Sequence, residues 1–580
     1  MHSLARSFFD RVRVGLSQGL DLSRMSEWIC RNTRHPKYND RDWSFAEHEF
    51  QIEIVNDSAN DMVVKKCSQV GLSEVAVRLT LGLIDIKANS AAIYTLPTGG
   101  FATMFVKSRF DPVIEASPVL KQKVDPDTDN TSIKRIGTSF LYIRGTYNQT
   151  AAISVPADIL VHDEVDFSDQ LTLSSFTSRL GHVKEEDIIR RRFSTPTVSG
   201  YGVSELFDDS TQAWYAVKCD CCGTWQIPNF VSDVVIPGFS GSIMKDLEKE
   251  DLSDPRYDFD NAYLSCPGCK KELTVANLAD PTKRQWVKAY PGKERAGYQV
   301  QPFDVPTINP VRRTLRYLRD FDRKADWVNF KVGQDYQDAE TSFVKEAVDR
   351  AFCLRQVEPH AGAASHCVIG IDVGKTSWIS VAVPNELNGL DVIHYERVKV
   401  TSPEALPTRA AEIFAWYGAV MLVVDAGPEW SQALAIIEAL PADKAFACYY
   451  TRANRPKLAM VEVDEENHVV TADRTGIISA AAKGVNNGQI RFAKASDMDT
   501  YKSHLDNLKK VTRQDASGKE VDSWVNNGPD HYGHSLFFAS VAFNLLSYKP
   551  KTIVVPALPL PGKAKFKGLE EREPRVRYGL

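Results

Sequence analysis

The stretch Val63-Val64-Lys65-Lys66-Cys67-Ser68-Gln69-Val70-Gly71-Leu72-Ser73 leads directly into Glu74-Val75-Ala76-Val77. Its apolar start predicts a buried strand, its polar centre a compact loop, and its apolar continuation a helix. A loop in this position can bind phosphate, because backbone N–H groups and a helix N-terminus attract an anion. The stretch therefore predicts a phosphate-binding loop, with an ordinary strand–turn–helix as the alternative.

The loop departs from the usual pattern G-x-x-x-x-G-K-[ST]. Gly71 fills the second glycine position and Ser73 the Mg²⁺-ligand position, but Leu72 stands where the lysine is expected. Lys66 occupies the first glycine position. Because the loop curls around the phosphates, a lysine at its start can still reach the β and γ oxygens. The candidate ATP-binding residues of the loop are Lys66, Cys67, Ser68, Gln69, Val70, Gly71, Leu72 and Ser73.

Composition limits the class of protein. The chain has 580 residues, 43% apolar and 25% charged, with a net charge of −5, which predicts two to four soluble domains. Any DNA-binding surface must be local, because no basic field covers the whole chain. Ten cysteines without a scaffold spacing are typical of a reducing cytosol. No secretion signal or membrane-length apolar run is present, which favours a soluble, unprocessed cytosolic protein.

A second acidic motif supports the nucleotide hypothesis. Residues 158–164 form an apolar strand that ends in Asp163 and Glu164. Asp163 is the candidate metal ligand and Glu164 the candidate base for an attacking water, whereas an acidic turn is the structural alternative. A later strand ends in Ser194 and Thr195, which are candidates for sensing the γ-phosphate. Strands alternating with helices predict a doubly wound α/β core with ligands at the strands' carboxyl ends.

The residues before the loop are less specific. Residues 1–45 are predicted to be helical, docked on the body of the protein or on a partner. Trp43, Phe45, Phe50 and Gln51 are candidates for holding an adenine, and core packing is the alternative for the aromatic side chains.

Two C-x-x-C pairs interrupt the α/β pattern, Cys219 with Cys222 and Cys266 with Cys269. Four thiolates suit tetrahedral Zn²⁺ with no open position, so the pattern predicts a structural zinc site in an insertion at about residues 215–275. Cys221 is a spare thiol or an alternative ligand.

Small residues at 358–366 predict a linker, and a second α/β unit follows. Two of its strands end in Asp372 and Asp425, and Asp530 precedes an amphipathic helix. Three such carboxylates can hold two Mg²⁺ or Mn²⁺ ions for attack on a phosphodiester, which favours a ribonuclease-H-like nuclease over a non-catalytic α/β domain. Asp473 is a weaker candidate that can equally cap a helix, and Asp522 is a rival to Asp530 in a polar loop.

The predicted organisation is thus α/β throughout. A helical segment at 1–45 precedes an ATPase domain at 46–357 with the zinc insertion, and the linker leads to a nuclease domain at 367–548. A proline-rich basic tail at 549–580 is predicted to be extended, either solvated or docked on a partner. Further elements predicted within the ATPase domain are a strand at 151–155 and helices at 311–333 and 342–354.

These motifs together resemble the lambda-type (GpA family) large terminase subunits of tailed phages. The resemblance rests on the displaced-lysine loop, Thr95-Leu96-Pro97-Thr98, Arg109-Phe110-Asp111-Pro112, His162-Asp163-Glu164 and Ser194-Thr195-Pro196-Thr197. It continues through the cysteine pairs and the three aspartates, in the family's order, over about residues 40 to 545.

The resemblance implies a DNA-packaging motor. An ATPase domain of the P-loop (ASCE) type would drive double-stranded DNA through a portal into a procapsid, and the nuclease would cut concatemeric DNA. Implied partners are the small terminase subunit near the N-terminal segment, the portal protein near the tail, and further copies of the chain in a ring. The implied location is the cytoplasm of the host cell, and the mature virion is not expected to contain the protein.

One residue departs from the family's pattern, and two other functional hypotheses are considered. Family members often have a basic residue, considered as an arginine finger, where Gln69 stands, so that group must come from elsewhere, with Arg109 and Arg179 as candidates. A cellular helicase or repair nuclease would need a second set of helicase motifs. A non-catalytic zinc-containing scaffold would bind no nucleotide.

Overall fold

The computed structural model describes residues 22–147, 155–337, 341–427, 429–451, 460–514 and 520–547. The start of the predicted N-terminal helix, most of the strand predicted at 151–155 and the basic tail lie outside these residues. No helix within them is long and apolar enough to cross a membrane.

The N-terminal segment is only partly helical. Its elements are α1 (Met25–Asn32), β1 (Arg34–His35), β2 (Tyr38–Asp42) and α2 (Phe50–Asn56). The helix predicted to continue to residue 45 is replaced by the antiparallel pair β1–β2. The physical reason is Pro36, which cannot donate a helical hydrogen bond and instead turns the chain between the two strands.

The first unit is built on a mixed sheet. Its elements up to residue 208 are β3 (Asp61–Lys66), α3 (Leu72–Ile86), β4 (Ala91–Leu96), α4 (Gly99–Phe105), α5 (Asp111–Ala116), α6 (Pro118–Lys123), β5 (Ile133–Ile136), β6 (Ser139–Gly145), β7 (Ile159–Asp163), α7 (Gln170–Thr177), β8 (Ile189–Ser194) and α8 (Gly202–Asp208). The elements that follow are β9 (Ala213–Lys218), β10 (Trp225–Gln226), α9 (Phe230–Asp233), β11 (Val234–Val235), β12 (Tyr263–Leu264), α10 (Val275–Ala279), β13 (Arg284–Lys288), β14 (Ala296–Val300), α11 (Val311–Arg316) and α12 (Lys324–Trp327).

The strand order brings the sequence motifs to one edge. Among the described residues the sheet runs β10-β9-β14-β3-β8-β7-β4-β6-β5, and β13 also pairs with β9. The strands from β9 to β6 are parallel. In register, Lys65 lies opposite Ser194 and Asp163 opposite Phe193. The carboxyl ends of β3, β8 and β7 are therefore neighbours, which confirms the predicted doubly wound core.

The predicted helix at 311–333 is interrupted. After α11 come a 3₁₀ turn (Tyr317–Asp320), α12 and a π turn (Val328–Val332). Phe321 and Arg323 have extended backbones between these turns. The interruption lets side chains of this segment face the carboxyl edge of the sheet.

The second unit has its own mixed sheet. Its elements are α13 (Lys345–Ala351), β15 (Phe352–Arg355), β16 (Cys367–Asp372), β17 (Thr376–Pro384), β18 (Leu390–Lys399), α14 (Ala405–Trp416), β19 (Ala419–Asp425), α15 (Trp430–Glu438), β20 (Ala445–Thr451), β21 (Val461–Asp464), β22 (Val469–Asp473), α16 (Arg474–Asn486), β23 (Ile490–Lys494), α17 (Met498–Asp506), β24 (Leu508–Gln514), β25 (Glu520–Asn526) and α18 (His531–Ser547). The described strand order is β15-β23-β18-β17-β16-β19-β20-β22-β21, and β24–β25 form a separate hairpin.

The second unit begins earlier than residue 358. Phe352 stacks on Phe492 and β15 pairs with β23, so the chain joins the second sheet before the predicted linker. The sequence predicts one helix over residues 342–354, but α13 ends at Ala351 and a strand follows. Periodicity alone does not separate a short apolar strand from the end of a helix.

Close packing of α18 on β16 brings two of the aspartates together. Gly370 of β16 has no room for a side chain, because a Cβ there would lie 2.0 Å from the Ser535 carbonyl oxygen and 2.2 Å from the Ala539 nitrogen. The glycine allows the two backbones to approach. Asp372, at the end of β16, and Asp530, just before α18, therefore face the same region.

Candidate functional site

The loop after β3 has the geometry of an anion cradle. Gly71 precedes α3 with φ +75°, a left-handed conformation that glycine adopts without strain, and Gln69 has φ +63°. The Gln51 amide donates a hydrogen bond of 2.9 Å to the Val70 carbonyl. Gln51 thus holds the loop in place.

Lys66 forms a buried ion pair at the end of β3. Its ammonium lies 3.1 Å from Glu164 Oε1, and its side chain is 6% exposed. Burial opposes the charge on Lys66, but Glu164 and Asp163 outweigh it and raise the pKa of Lys66 above its usual value. The lysine is therefore held protonated at the edge where β3 and β7 end.

Asp163 is fully buried beside this pair. The Tyr94 hydroxyl donates to its carboxylate at 2.9 Å, and the nearby Ser73 hydroxyl favours its ionised form. Burial, followed by repulsion from Glu164, raises the pKa of Asp163 to about 6. A bound cation would favour the ionised carboxylate, so Ser73 and Asp163 form a pair of oxygen donors that fits Mg²⁺.

Glu164 lies in a strained turn. Its φ of +56° is unusual for a residue with a side chain, and such outliers concentrate at functional sites. The turn Val165–Phe167 follows, and its Asp166 accepts hydrogen bonds from the Thr197 hydroxyl and the Val203 amide at 2.8 and 2.7 Å. This connects Glu164 to the segment after β8.

Ser194 belongs to the same connection. Its hydroxyl accepts a hydrogen bond of 3.2 Å from the Asp166 amide and donates one of 2.8 Å to the Thr195 carbonyl. Burial raises the pKa of Asp166 to about 7, although the Val203 and Thr197 hydrogen bonds favour its ionised form. The predicted Ser194–Thr195 pair therefore contacts the turn that carries Glu164.

A cavity of about 620 Å³ opens between these elements, within the usual range for small-molecule sites. Lys66, Ser73 and Glu164 line one side, and the stacked rings of Phe167 and Phe330 lie 5.7 Å apart on another. Three of its lining residues carry a buried side-chain atom without a hydrogen-bond partner within the described chain, and these atoms are Ser68 Oγ, Thr195 Oγ1 and Asn329 Oδ1. Buried polar groups are normally satisfied, so these atoms point to a polar ligand.

The aromatic candidates for adenine binding pack differently from one another. Phe45 and Phe50 are buried in the main apolar core. The Trp43 ring stacks under the Arg78 guanidinium, 3.7 Å from ring centroid to carbon. Gln51 contacts the loop, and its Oε1 is buried without a partner among the described residues.

The four predicted zinc ligands come together. The sulfurs of Cys219, Cys222, Cys266 and Cys269 all lie within 4.8 Å of one another. The Cys219–Cys269 and Cys222–Cys266 distances are 3.8 and 3.9 Å. Zn–S bonds of about 2.3 Å in a tetrahedron place sulfurs roughly 3.8 Å apart. The cluster therefore fits Zn²⁺, and Cys221 is exposed and outside it.

The three predicted nuclease aspartates share one end of the second sheet. Asp372 and Asp425 end the neighbouring parallel strands β16 and β19. Burial, and to a smaller extent the charge of Asp372, raises the pKa of Asp425. Across the described chain the three carboxylates are less tightly gathered than the four cysteines.

Two histidines that sequence reasoning did not single out contact these aspartates. His531 Nδ1 lies 2.9 Å from Asp372 Oδ2, and His534 Nε2 lies 3.2 Å from Asp530 Oδ2. Burial opposes ionisation of Asp530, but the hydrogen bond from His534 lowers its pKa overall. Sequence reasoning could have found these histidines, because both lie within four residues of Asp530.

The remaining candidates lie elsewhere. The Asp473 carboxylate caps α16 by accepting from the Gly476 amide at 3.0 Å. Asp522 lies on β25, not in a loop, and pairs with Lys510 at 3.0 Å. Arg109 pairs with Glu74 on α3. Neither Arg109 nor Arg179 lines the 620 Å³ cavity.

Comparison with known families and structures gives one informative match. Residues 41–283 match the family model described as "Phage terminase large subunit gpA, ATPase domain". This range includes the loop, Asp163, Glu164, Ser194 and all four zinc-cluster cysteines. No curated protein matches the sequence.

Several solved structures share a loose overall likeness. The HK97 bacteriophage large terminase has a TM-score of 0.46 at 10% identity, covering 89% of this chain and 98% of that one. The large terminase ATPase domain of a Thermus phage has a TM-score of 0.29 at 13% identity, covering 49% and 92%. The large terminase nuclease of the thermophilic phage G20c, with bound magnesium, has 0.24 at 18%, covering 35% and 98%. Overlaps this loose transfer no residue role or ligand to this chain.

Proposed function

We propose that this chain, which belongs through its ATPase domain to the gpA family of phage terminase large subunits, hydrolyses ATP at the Lys66–Glu164 site to move double-stranded DNA. Terminase large subunits are ATPases and nucleases of viral DNA packaging. The observation that carries the site assignment is the cavity beside the loop, which is lined by the buried Lys66 and by three residues that each have an unsatisfied buried polar atom. A phosphate chain would offer the Lys66 ammonium an anionic partner.

The Lys66–Glu164 ion pair suggests how the site responds to nucleotide. Lys66 lies 3.1 Å from Glu164 and neutralises its charge. A bound triphosphate offers Lys66 a stronger anionic partner, which would release Glu164. The freed carboxylate would then orient an attacking water and accept its proton, as bases do in phosphoryl transfer.

Ser73 and Asp163 are the residues that would hold Mg²⁺. They lie near each other, and both offer the oxygen donors that this ion prefers. The ion would neutralise charge on the phosphates when bound. In the chain itself, Tyr94 keeps the Asp163 carboxylate oriented through its 2.9 Å hydrogen bond.

Hydrolysis would be transmitted through the turn after Glu164. Asp166 ties this turn to Thr197 and Val203, and Ser194 accepts from its amide. Thr195 lines the cavity from the same segment, and its buried hydroxyl has no partner among the described residues. These contacts support Ser194 and Thr195 as the residues that couple the nucleotide state to movement.

The nuclease activity is assigned to Asp372, Asp425 and Asp530. Two of them end adjacent strands, and the third is brought near by the glycine-dependent packing of α18 on β16. Such carboxylates suit two Mg²⁺ or Mn²⁺ ions, which would activate water and stabilise the leaving oxygen. His531 and His534 would hold Asp372 and Asp530 in position.

A structural Zn²⁺ is proposed for the cysteine cluster. Around it pack Phe230, Phe259 and Trp327, which form a local core of the insertion. Since a closed four-thiolate site offers no open position, its role would be stability and not catalysis.

The partners are proposed from family membership. They are the small terminase subunit, the portal protein of the procapsid, and further copies of the chain in a ring. The proposed site of action is the cytoplasm of the host cell, before the virion is complete.

The test is a packaging assay with cognate procapsids, with cleavage of linear and circular DNA measured in parallel. The proposal expects ATP-dependent protection of DNA inside procapsids and metal-dependent cutting of free DNA. ATP hydrolysis that DNA does not stimulate, together with absent packaging, would contradict it.

A further inference from the structure

The hairpin β24–β25 of the second unit reaches the cavity of the first. Lys510, Val511 and Thr512 line it together with the phosphate-loop residues Lys66 and Ser68. β24 also contacts the turn Val165–Phe167 that follows Glu164. The two units therefore share one cavity wall at the proposed nucleotide site.

The hairpin is firmly attached to the ATPase unit. Val511 and Val525 pack with Val198 and Tyr201, which follow the Ser194–Thr197 segment. The Lys510 amide donates to the Thr341 carbonyl at 2.8 Å. These contacts hold Lys510, Val511 and Thr512 at the wall of the cavity.

Further polar contacts hold the hairpin from the other side. The Arg323 guanidinium donates to the Thr512 hydroxyl at 2.8 Å. The Asn527 amide donates to the Gly200 carbonyl. The hairpin is thus bonded both to the 321–330 segment and to the loop after β8.

The positions of the ion-pair partners distinguish Lys510 from the other cation on this wall, Arg323. Arg323 is held by Asp326 through two hydrogen bonds of 2.9 and 2.7 Å, and Asp326, Asp320 and Asp322 line the same side. Lys510 lines the cavity, but its partner Asp522, 3.0 Å away, does not. Arg323 lies 3.6 Å from Asp522 as well, but it also has Asp326 inside the cavity, whereas the ion-pair partner of Lys510 lies outside it.

We propose that Lys510 is a nucleotide-binding residue, so that the nuclease domain completes the ATP site of the same chain. This inference rests on the proposed ATPase function and adds a residue from the other domain to it. ATP would draw the Lys510 ammonium from Asp522 onto its phosphates. Nucleotide binding would then change the contacts of a hairpin that belongs to the nuclease domain.

The test is equilibrium binding of a fluorescent, non-hydrolysable ATP analogue to the full chain. Lys510→Ala should weaken binding roughly tenfold or more, as expected for loss of one charge-assisted hydrogen bond. Asp522→Asn breaks the same ion pair but keeps the lysine, so its binding should equal or exceed that of the wild type. If the Lys510–Asp522 ion pair serves only to hold the hairpin in place, both variants should weaken binding to the same extent. That result would overturn the proposal.

Two controls separate the possible failures. Lys502→Ala removes a lysine that is paired with Asp349 at 2.8 Å in the same domain, and it should bind as the wild type does. Lys66→Ala should lose binding. Wild-type chain that binds no analogue would refute the proposed ATPase function itself. Normal binding by Lys510→Ala, with loss in Lys66→Ala, would refute only the role of Lys510.

Discussion

Replacing Lys66 by methionine separates the chemical role of this lysine from its structural one. The substitution keeps most of the apolar stem and removes the charge that lies 3.1 Å from Glu164. Breaking a buried ion pair costs about 3–5 kcal/mol. The cost here should lie at or below the low end, because the Glu164 side chain is 24% exposed and water can reach it.

Lys65→Met is a matched control. Lys65 is the preceding residue of β3 and points to the opposite face of the sheet. Its side chain is also 6% exposed, and it pairs with Asp335 at 2.5 Å, whose side chain is 26% exposed. Both variants should therefore lose similar stability in a thermal unfolding experiment.

The two variants should differ in turnover. Loss of one preorganised group that stabilises transition-state charge lowers kcat roughly 10²–10³-fold. We expect this loss for Lys66→Met in a steady-state ATPase assay with DNA, and a change of only about threefold or less for Lys65→Met by the same principle of local charge stabilisation. Equal turnover in the two variants, at equal folded fraction, would refute the assignment of Lys66 to the displaced-lysine position.

Three further predictions concern other parts of the chain. Leu72→Met should retain turnover near that of the wild type in the same ATPase assay, because a volume-conserving change at a buried position costs less than about 1.5 kcal/mol; a loss as large as that of Lys66→Met would contradict it. Cys269→Ser should lower both the zinc content measured by mass spectrometry and the unfolding temperature, whereas Cys221→Ser, at the exposed cysteine outside the cluster, should change neither. Burial raises the pKa of Asp166 from 3.8 to about 7, so between these pH values the native state holds a proton that the unfolded chain has released. The free energy of unfolding should therefore fall as pH rises from about 4 to about 7, by at most about 4 kcal/mol. In urea titrations, Asp166→Asn should remove this part of the pH dependence, and an unchanged dependence of stability on pH would count against the prediction.

The local motifs were predictable because, in each of them, the residues that indicate the chemistry lie within a short stretch of sequence. The strand-terminal positions of Asp163, Asp372 and Asp425 follow from apolar runs that end in a carboxylate. The cysteine pairs require only their spacing. Even the displaced lysine follows from reading the loop as a whole, since Gly71 and Ser73 fix the register in which Lys66 stands at the start.

What could not be predicted depends on contacts between distant segments. Arg323 and Lys510 are separated by almost the whole second unit before they meet at one cavity, and no periodicity encodes that meeting. Nothing in the sequence distinguishes Asp166 from other acidic residues that follow a strand. In the structure it is buried and accepts hydrogen bonds from Thr197 and Val203, which connect it to the segment after β8. Sequence reasoning assigns residues 352–354 to a helix of the first unit, because the strand β23, with which they pair in the second unit, lies far along the chain.

We propose that one chain holds two separate catalytic sites, an ATPase at Glu164 and a nuclease at Asp372. The most direct test compares Glu164→Gln and Asp372→Asn in parallel assays of DNA-stimulated ATP hydrolysis and Mg²⁺-dependent DNA cleavage. Glu164→Gln should lose ATP turnover, roughly 10²–10⁴-fold as for a general base, and still cleave DNA. Asp372→Asn should lose cleavage and keep ATP turnover. Loss of both activities in either folded variant, or near wild-type ATP hydrolysis by Glu164→Gln, would contradict the claim.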